Sequence, residues 1–477
     1  MPAACAEPAA APRRPASTTR EVLALAVPAT LSGFVQLAYH WVNLGWVGRL
    51  PDATTAAAGL SVATFGIWLV HSVAALVVAG AGSVVGRYVG AVRPAAASYV
   101  ASQALRAALA LGLAIGVLGG FVAPSLFERS GTSPAAAAQG TAYLRIAFAG
   151  AAASLLQLTA DAVWRGHGST RVPLLTSAVG LSLNAALDPL LMFGVGPLPR
   201  LGLPGAAVAT VLASATAAAI SFALLRRHGH VAGARPPDDV MRLDARTRLS
   251  GGPPRWLDLA VLRRFVRVGL PVAANGVFFV LVYLWLSHLV TEVGGDAALA
   301  GLGVGLRGEQ VAFLLGSGCS MAAASLVARQ LGAGRPDEAA RAAWRATAVG
   351  SAGCLLWSLA LFLLPELLAR AFLSDAADTA AARAHAVAYW RIVAFCLVLQ
   401  AWEAVLDGAF SGAGMTVPPM VVTTSLVAVR VPLARWAAVD LGHGVPGIWA
   451  VIAATAALRG VAIAAWFSRG TWKHRTV

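Results

Sequence analysis

The chain has 477 residues, of which 58% are hydrophobic and only 12% charged, and its mean hydropathy is +0.72. Soluble domains carry about 25% charged residues, so this composition excludes an ordinary soluble protein and indicates a membrane protein. The net charge of +15 does not indicate nucleic-acid binding, because the arginines lie in short loops between apolar runs, where they mark membrane topology.

Twelve apolar runs follow one another along the chain, each of about 18 residues or more, as is typical of membrane-spanning helices. The first half carries runs at 22–47, 56–85, 107–126, 146–163, 172–195 and 206–225. The second half carries runs at 268–290, 297–327, 346–364, 392–410, 417–439 and 448–467. The sequence therefore predicts an all-α integral membrane protein with twelve transmembrane helices in two groups of six.

A polar segment at 228–258, rich in Arg, Pro and Gly, separates the two groups and is typical of a linker. We divide the chain into an N-terminal tail (1–20), an N-lobe (21–227), the linker (228–258), a C-lobe (259–470) and a C-terminal tail (471–477). Both tails and the linker belong to the arginine-richer set of loops, which predicts that they lie in the cytoplasm.

The second half repeats the first at an offset of about 242–246 residues. The turn RGHGSTR at 165–171 recurs as SGAGMTV at 411–417, and RYVGAVRP at 87–94 recurs as RQLGAGRP at 329–336. Two six-helix units that start on the same side form a parallel repeat, related by a pseudo-twofold axis along the membrane normal. Such halves enclose a central cavity, and rocking them gives alternating access.

Asn184 and Asp188 are the leading candidates for a functional site, since they lie in the fifth run and share one helical face. An ionisable group is costly in hydrocarbon and marks a functional site by default. We expect Asp188 to bind a proton or a transient Na⁺; the alternative is a carboxylate that locks two helices by hydrogen bonds. Asn184 is a cavity partner or a helix–helix contact. The repeat places Arg430 and Ala434 at the matching positions.

Further acids lie in the fourth and tenth runs. Asp161 precedes Arg165 by four residues, so it either handles protons or forms an intrahelical ion pair. Glu403 and Asp407 are also four apart, and two close carboxylates in a low dielectric do not ionise together easily. That property suits a proton carrier. The alternative is that these two acids are partners of arginines in the eleventh run, Arg430 or Arg435.

Several motifs resemble those of the multidrug and toxic compound extrusion (MATE) family, over most of 21–467. The motifs are AVP at 26–28, GWVG at 45–48, GHGSTRVP at 166–173, LDPL at 187–190, GLRGE at 305–309, LGAGRP at 331–336 and RVPL at 430–433. The resemblance implies a MATE/MOP-type fold and a cation-coupled antiporter that exports amphiphilic, often cationic compounds across the cytoplasmic membrane. Asp188 and Asn184 match polar residues of the N-lobe cavity in the DinF-like branch.

The chain departs from that branch at two positions. Asn43 occupies the slot near the end of the first span where the branch usually has a carboxylate, and Asp161 falls where the family commonly has Asn. An amide and an acid have thus exchanged helices, which leaves proton and sodium coupling both open. The resemblance also suggests that Pro28 marks a hinge in the first span, with a static kink as the alternative.

The expected partners are a small amphiphilic substrate, H⁺ or Na⁺, and the lipid bilayer, with no nucleic acid and no cofactor. We expect a monomer and a transporter rather than an enzyme. One alternative is a flippase for lipid-linked precursors, of the same wider superfamily, which would favour a cavity lined by several arginines. Another is an intramembrane transferase, which would need a convergent His/Asp or Ser/His set, and the sequence shows no such motif.

Overall fold

The computed structural model describes residues 19–128, 133–194, 199–231, 256–370 and 380–474. The N-terminal tail up to residue 18, linker residues 232–255 and residues 475–477 lie outside the described residues. Within the described ranges the ordered elements are all helical, and the predicted all-α membrane fold is confirmed.

Among the described residues, the first half forms seven helices and the second half forms seven more. In the N-lobe they are α1 (Thr19–Val47), α2 (Ala53–Gly90), α3 (Pro94–Glu128), α4 (Pro134–Ala149), α5 (Ala151–Gly166), α6 (Arg171–Phe193) and α7 (Leu203–Arg227). In the C-lobe they are α8 (Leu259–Gly332), α9 (Pro336–Leu363), α10 (Pro365–Arg370), α11 (Ala380–Val393), α12 (Leu397–Gly412), α13 (Val417–Arg435) and α14 (Gly444–Ser468). A π-helical turn, Trp436–Asp440, extends α13, and a 3₁₀ turn, Thr471–His474, follows α14.

The fourth and tenth spans are each bent, at corresponding places in the repeat. Helices α4 and α5 meet at 50° beside Gly150, and α11 and α12 meet at 66° just before Leu397. The described residues therefore contain ten continuous helices long enough to cross a membrane, or twelve when each bent pair counts as one span. The fourth span begins at Pro134, earlier than the predicted run, because Ser133 accepts a hydrogen bond from the backbone N–H of Ala136 and starts the helix there.

The seventh and eighth spans, Leu259–Gly295 and Ala297–Gly332, join almost directly within α8. Gly295 separates them with φ 67° and ψ −168°, a conformation that glycine adopts at no steric cost because it has no Cβ. The loop between these two spans is thus reduced to little more than one residue.

The first span of each half packs its starting turns into the other half. Val22, Leu25 and Ala26 of α1 belong to an apolar cluster whose other buried members come from the second half, among them Phe410 and Phe467. Reciprocally, Phe265 of α8 is buried in the N-lobe cluster. The two lobes therefore exchange helix ends where they meet, a feature that the sequence analysis did not predict.

Candidate functional site

The two lobes are joined by hydrogen bonds at the end of the molecule that carries the arginine-rich turns. Arg87 Nη2 donates to the carbonyl oxygen of Ala413 at 2.7 Å, and the Ser83 hydroxyl donates to that of Gly412 at 3.1 Å. The Ser325 hydroxyl donates to the carbonyl oxygen of Arg165 at 2.6 Å, which repeats the serine contact from the other half. We call this set of contacts the arginine-rich interface.

Two glycines allow the backbones to touch at the arginine-rich interface. A Cβ atom at Gly90 would collide with the carbonyl oxygen of Arg329, and one at Gly332 would collide with that of Arg87. Arg329 also forms an ion pair with Glu21, at 3.5 Å. The motifs RYVGAVRP and RQLGAGRP of the sequence repeat are thus the surfaces that hold this end closed.

A cavity of about 200 Å³ lies between the lobes beside this interface. Its lining comes from α2, α5, α8 and α12, and it includes the serines that join the lobes. Asp407 and Arg165 are its charged lining residues. Asp407 therefore faces the space shared by both lobes, and its role in ion coupling or substrate binding stays a prediction.

A polar cluster forms within the N-lobe around Asp188, which is 0% exposed, as is Asn184. Asn184 Nδ2 donates to Asp188 Oδ1 at 3.2 Å, so the predicted one-face arrangement of the two is observed. Asp188 Oδ2 has no hydrogen-bond partner among the described residues. The phenols of Tyr39 and Tyr143 lie within electrostatic range of this carboxylate, and Tyr39 donates to the hydroxyl of Thr210. Four helices, α1, α4, α6 and α7, thus converge on Asp188, and we call these residues the N-lobe cluster.

The other N-lobe candidates lie outside this cluster. Asp161, in α5, is buried and has Arg165 of the same helix as its charged neighbour. This neighbour is the one that the sequence analysis considered for it. Asn43 is buried, and in the part of the chain that the structure describes its Oδ1 has no partner. Helix α1 runs without a break through Pro28, so the hinge stays a prediction.

In the C-lobe, Glu403 pairs with an arginine that the sequence analysis did not single out. Arg459 Nη1, on α14, lies 2.8 Å from Glu403 Oε1, and both side chains are mostly buried. The expectation that Glu403 would pair with Arg430 or Arg435, if its role were structural, is wrong. Arg435 instead pairs with Glu292 at 3.7 Å, where both side chains are about half exposed. Glu403 and Asp407 thus point to different surroundings although they share one helix.

Arg430 lies at the centre of a second polar cluster. It is 0% exposed, its Nε donates to the hydroxyl of Thr455 at 2.8 Å, and its Nη1 donates to the hydroxyl of Tyr283 at 3.2 Å. We call Arg430, Tyr283 and Thr455 the C-lobe cluster. Glu309 lies near it and accepts hydrogen bonds from Tyr389 and Gln400, each at 2.6 Å.

The sequence analysis missed the tyrosines, Thr210 and Arg459. Tyrosine and threonine are ordinary in membrane helices, so their type alone gave no signal. The internal repeat does provide a sequence signal, because Tyr39 and Thr210 correspond to Tyr283 and Thr455 within the same offset of about 242–246 residues. In the described ranges, no group of three metal-ligating side chains is placed to hold a metal ion.

The MatE family model matches residues 28–190 and 271–436, one block in each lobe. The chain belongs to this family. The first block ends at residue 190, close to Asp188, and the second ends at residue 436, close to Arg430. Neither block includes the linker. Membership makes the chain a MATE-family membrane transporter rather than an enzyme, as predicted, whereas its assignment to the DinF-like branch stays a prediction.

Curated relatives and solved structures agree with the family. The chain is 25% identical over 471 residues to a probable multidrug resistance protein NorM of Thermotoga maritima, covering 96% of this chain and 94% of that protein. It is 27% identical over 325 residues to an FAD transporter of Shewanella oneidensis, covering 68% and 67%. A MOP superfamily transporter from Pyrococcus furiosus has the same fold, with a TM-score of 0.84, 21% identity, and coverage of 96% and 97%.

Proposed function

We propose that this MATE-family protein exports amphiphilic, often cationic compounds across the cytoplasmic membrane in exchange for a cation, with the proton as the leading candidate and Na⁺ as the other. The observation that carries the proposal is the N-lobe cluster. Asp188 is fully buried, one of its oxygens is held by Asn184, and the other has no partner within the described ranges. The NorM name of the Thermotoga relative supports drug export as the process.

The chemistry of exchange follows from the burial of Asp188. A charged carboxylate in a low dielectric is costly, so it favours an occupant that removes or balances its charge. A proton does the first, and Na⁺ or a substrate cation does the second. Since one free oxygen accommodates one occupant at a time, the arrival of the ion displaces the substrate, and this competition couples the two fluxes.

Alternating access is supported by the arginine-rich interface. We assign this end to the cytoplasm from the positive-inside rule, with both tails and the linker on the same side. The lobes are joined there by Arg87, Ser83 and Ser325. The structure then corresponds to a state closed to the cytoplasm, and export requires these contacts to separate once per cycle.

Efflux from proteoliposomes tests the proposal, with a proton gradient or a sodium gradient imposed separately on the purified protein. Asp188→Asn keeps the shape of the side chain and loses the titratable group, so it should abolish gradient-driven efflux of a cationic dye. Asp161→Asn is the comparison variant and should have a weaker effect, because Arg165 is its charged neighbour.

The alternatives give different outcomes in the same liposomes. Full activity of Asp188→Asn would move ion coupling to Glu403 and Asp407, and full activity with all three acids neutralised would defeat a carboxylate mechanism. The flippase alternative predicts lipid scrambling without a gradient. It is less well supported, because it favours a cavity lined by several arginines and Arg459 is already neutralised by Glu403.

A further inference from the structure

The N-lobe and C-lobe clusters share one framework but carry opposite charge. In the N-lobe, Tyr39 on the first span and Thr210 on the sixth are joined by a hydrogen bond beside Asp188. In the C-lobe, Tyr283 on the seventh span and Thr455 on the twelfth are joined through Arg430. The fifth and eleventh spans supply the charged residue in each case. The repeat thus carries two similar clusters, one with a buried acid and one with a buried arginine, and the two charged residues lie one helical turn apart in the repeat.

Arg430 forms no ion pair among the described residues, and its hydrogen-bond partners are the two hydroxyls. Its Nη2 is buried without a hydrogen-bond partner there. A buried donor without an acceptor is unfavourable, and the carboxylate of Glu403 interacts with Arg430 only at longer range. An anion at Nη2 would supply both the missing acceptor and a direct counterion.

Tyr283 supplies a second donor at the same place. Its hydroxyl oxygen accepts from Arg430 Nη1, so its own proton is left for another acceptor. Its ring also lies over the guanidinium, with Arg430 Cζ 5.7 Å from the ring centroid, and Tyr283 is the partly exposed member of the cluster. The Tyr283 hydroxyl and the Arg430 guanidinium therefore lie side by side, at the partly exposed member of the cluster.

We propose that the C-lobe cluster is a binding site for a small anionic group, held by Arg430 Nη2 and the Tyr283 hydroxyl. The group is a carboxylate or phosphate of the transported molecule, or a free monovalent anion such as chloride; the first of these rests on the proposed export function. Glu309 and Glu403 are the carboxylates in electrostatic range of the cluster. Glu403 is already paired with Arg459, and Glu309 is held by Tyr389 and Gln400, so neither forms an ion pair with Arg430.

Ligand-dependent stability of the purified protein tests the site without any transport. The unfolding temperature is measured while chloride, acetate or methyl phosphate replaces gluconate, a bulky anion, at constant ionic strength. A ligand that binds only the folded state raises this temperature in a saturable way. We expect a saturable rise for the wild-type protein and at least tenfold weaker binding for Arg430→Gln.

The matched control is Arg435→Gln, which removes a half-exposed guanidinium from the same helix. It should keep the wild-type response. If Arg430→Gln does not fold, Tyr283→Phe provides the test, since it leaves the guanidinium in place and removes the second donor, and it should bind the anion more weakly. A wild-type protein without a saturable response, or a variant pair that responds identically, would overturn the site.

Transport of a dye with a free carboxylate is compared with transport of its ester. This comparison distinguishes an anionic group of the substrate from a free anion. A substrate carboxylate predicts faster flux of the free acid, with the ratio of the two forms falling in Arg430→Gln. A free anion predicts that removal of chloride slows both forms alike. Equal flux of both forms that is insensitive to chloride would show that the site takes no part in transport. Because the stability shift needs no gradient, its failure is distinguishable from failure of the proposed exchange.

Discussion

The hydroxyl of Thr170 donates a hydrogen bond to the carbonyl oxygen of Leu25 at 2.9 Å, and Thr416 repeats this contact in the other half, donating to Val268 at 2.8 Å. Each threonine follows the glycine turn of its lobe, and each carbonyl belongs to the first span of the same lobe. The two bonds therefore anchor each turn to the helix whose end is exchanged between lobes.

Thr170→Val or Thr416→Val removes the side-chain hydrogen bond to this carbonyl oxygen, which lies in a helix and keeps its backbone donor. We expect each change to lower the free energy of unfolding by about 0.5–1.5 kcal/mol. The two losses should add, because the sites share no partner. Chemical denaturation of the single and double variants in mixed micelles measures this. A double variant far less stable than the sum would show that the two turns are coupled through the arginine-rich interface.

Gly90→Ala should force the arginine-rich interface apart. The added methyl group would collide with the Arg329 carbonyl oxygen, and a backbone atom cannot move aside without separating the lobes. We expect a folded protein in which cysteines placed at 165–171 react faster with a membrane-impermeant thiol reagent. Gly120→Ala is the control, since a methyl group there meets no described atom within 4 Å. Unchanged reactivity in the Gly90 variant would contradict this account of the closed end.

Glu403→Gln distinguishes a structural ion pair from an ion-coupling acid. The change leaves the buried guanidinium of Arg459 without its counterion. Breaking a buried pair from one side typically costs about 3–5 kcal/mol, so we expect strong destabilisation. The double variant Glu403→Met with Arg459→Met should recover much of the loss, because both charges are removed together. A Glu403→Gln protein of normal stability that cannot couple efflux to a gradient would instead support Glu403 as an ion carrier.

A histidine cluster at the end of α7 predicts a local dependence on pH. The rings of His167 and His230 stack with centroids 3.8 Å apart, and Trp164 packs edge-on against His230. Burial and then the neighbouring His167 and His228 lower the pKa of His230 to about 4, and burial lowers the pKa of His167. Because these folded pKa values lie below that of free histidine, about 6.5, the cluster stabilises the fold above pH 6.5 and loses that stabilisation as the pH falls toward 4.

Amide hydrogen exchange should therefore become faster at 163–170 and 225–231 as the pH falls from 7.5 to 5, after correction for intrinsic rates. The increase should be larger there than in the rest of the protein. His230→Gln should remove the excess, because the glutamine does not titrate. An excess that persists in that variant would show that His230 is not the titrating group and would leave His167 or a residue outside the cluster.

The fold was predictable because helices that cross a bilayer need long apolar segments, which are easily recognised in the sequence. A run of about 20 apolar residues matches the thickness of the hydrocarbon core, and the arginine turns separate one run from the next. The bends were not predictable from hydropathy, since an apolar run looks the same whether or not it is broken. Gly150 and the segment before Leu397 differ in sequence although both mark a bend. Backbone geometry and packing decide where such a helix breaks.

The candidate site was predicted in part. The spacing of Asn184 and Asp188 was enough to place them together, because helical periodicity alone decides that contact. The partner of Glu403 was not predictable, because the interaction with Arg459 joins different helices and depends on how they are rotated about their axes. The tyrosines and threonines of each cluster were missed for the same reason. Their roles become visible only when the two halves are compared position by position.

The reciprocal contact of Gly90 with Arg329 and of Gly332 with Arg87 has the form of an isologous interface, in which one surface patch meets a copy of itself. Two identical six-helix subunits could associate through it as a symmetric dimer. Such a dimer would have to carry the same residue at both equivalent positions, because one gene encodes both subunits. Joining the two copies in one polypeptide removes that constraint, and only then can position 184 be an asparagine while its counterpart at 430 is an arginine.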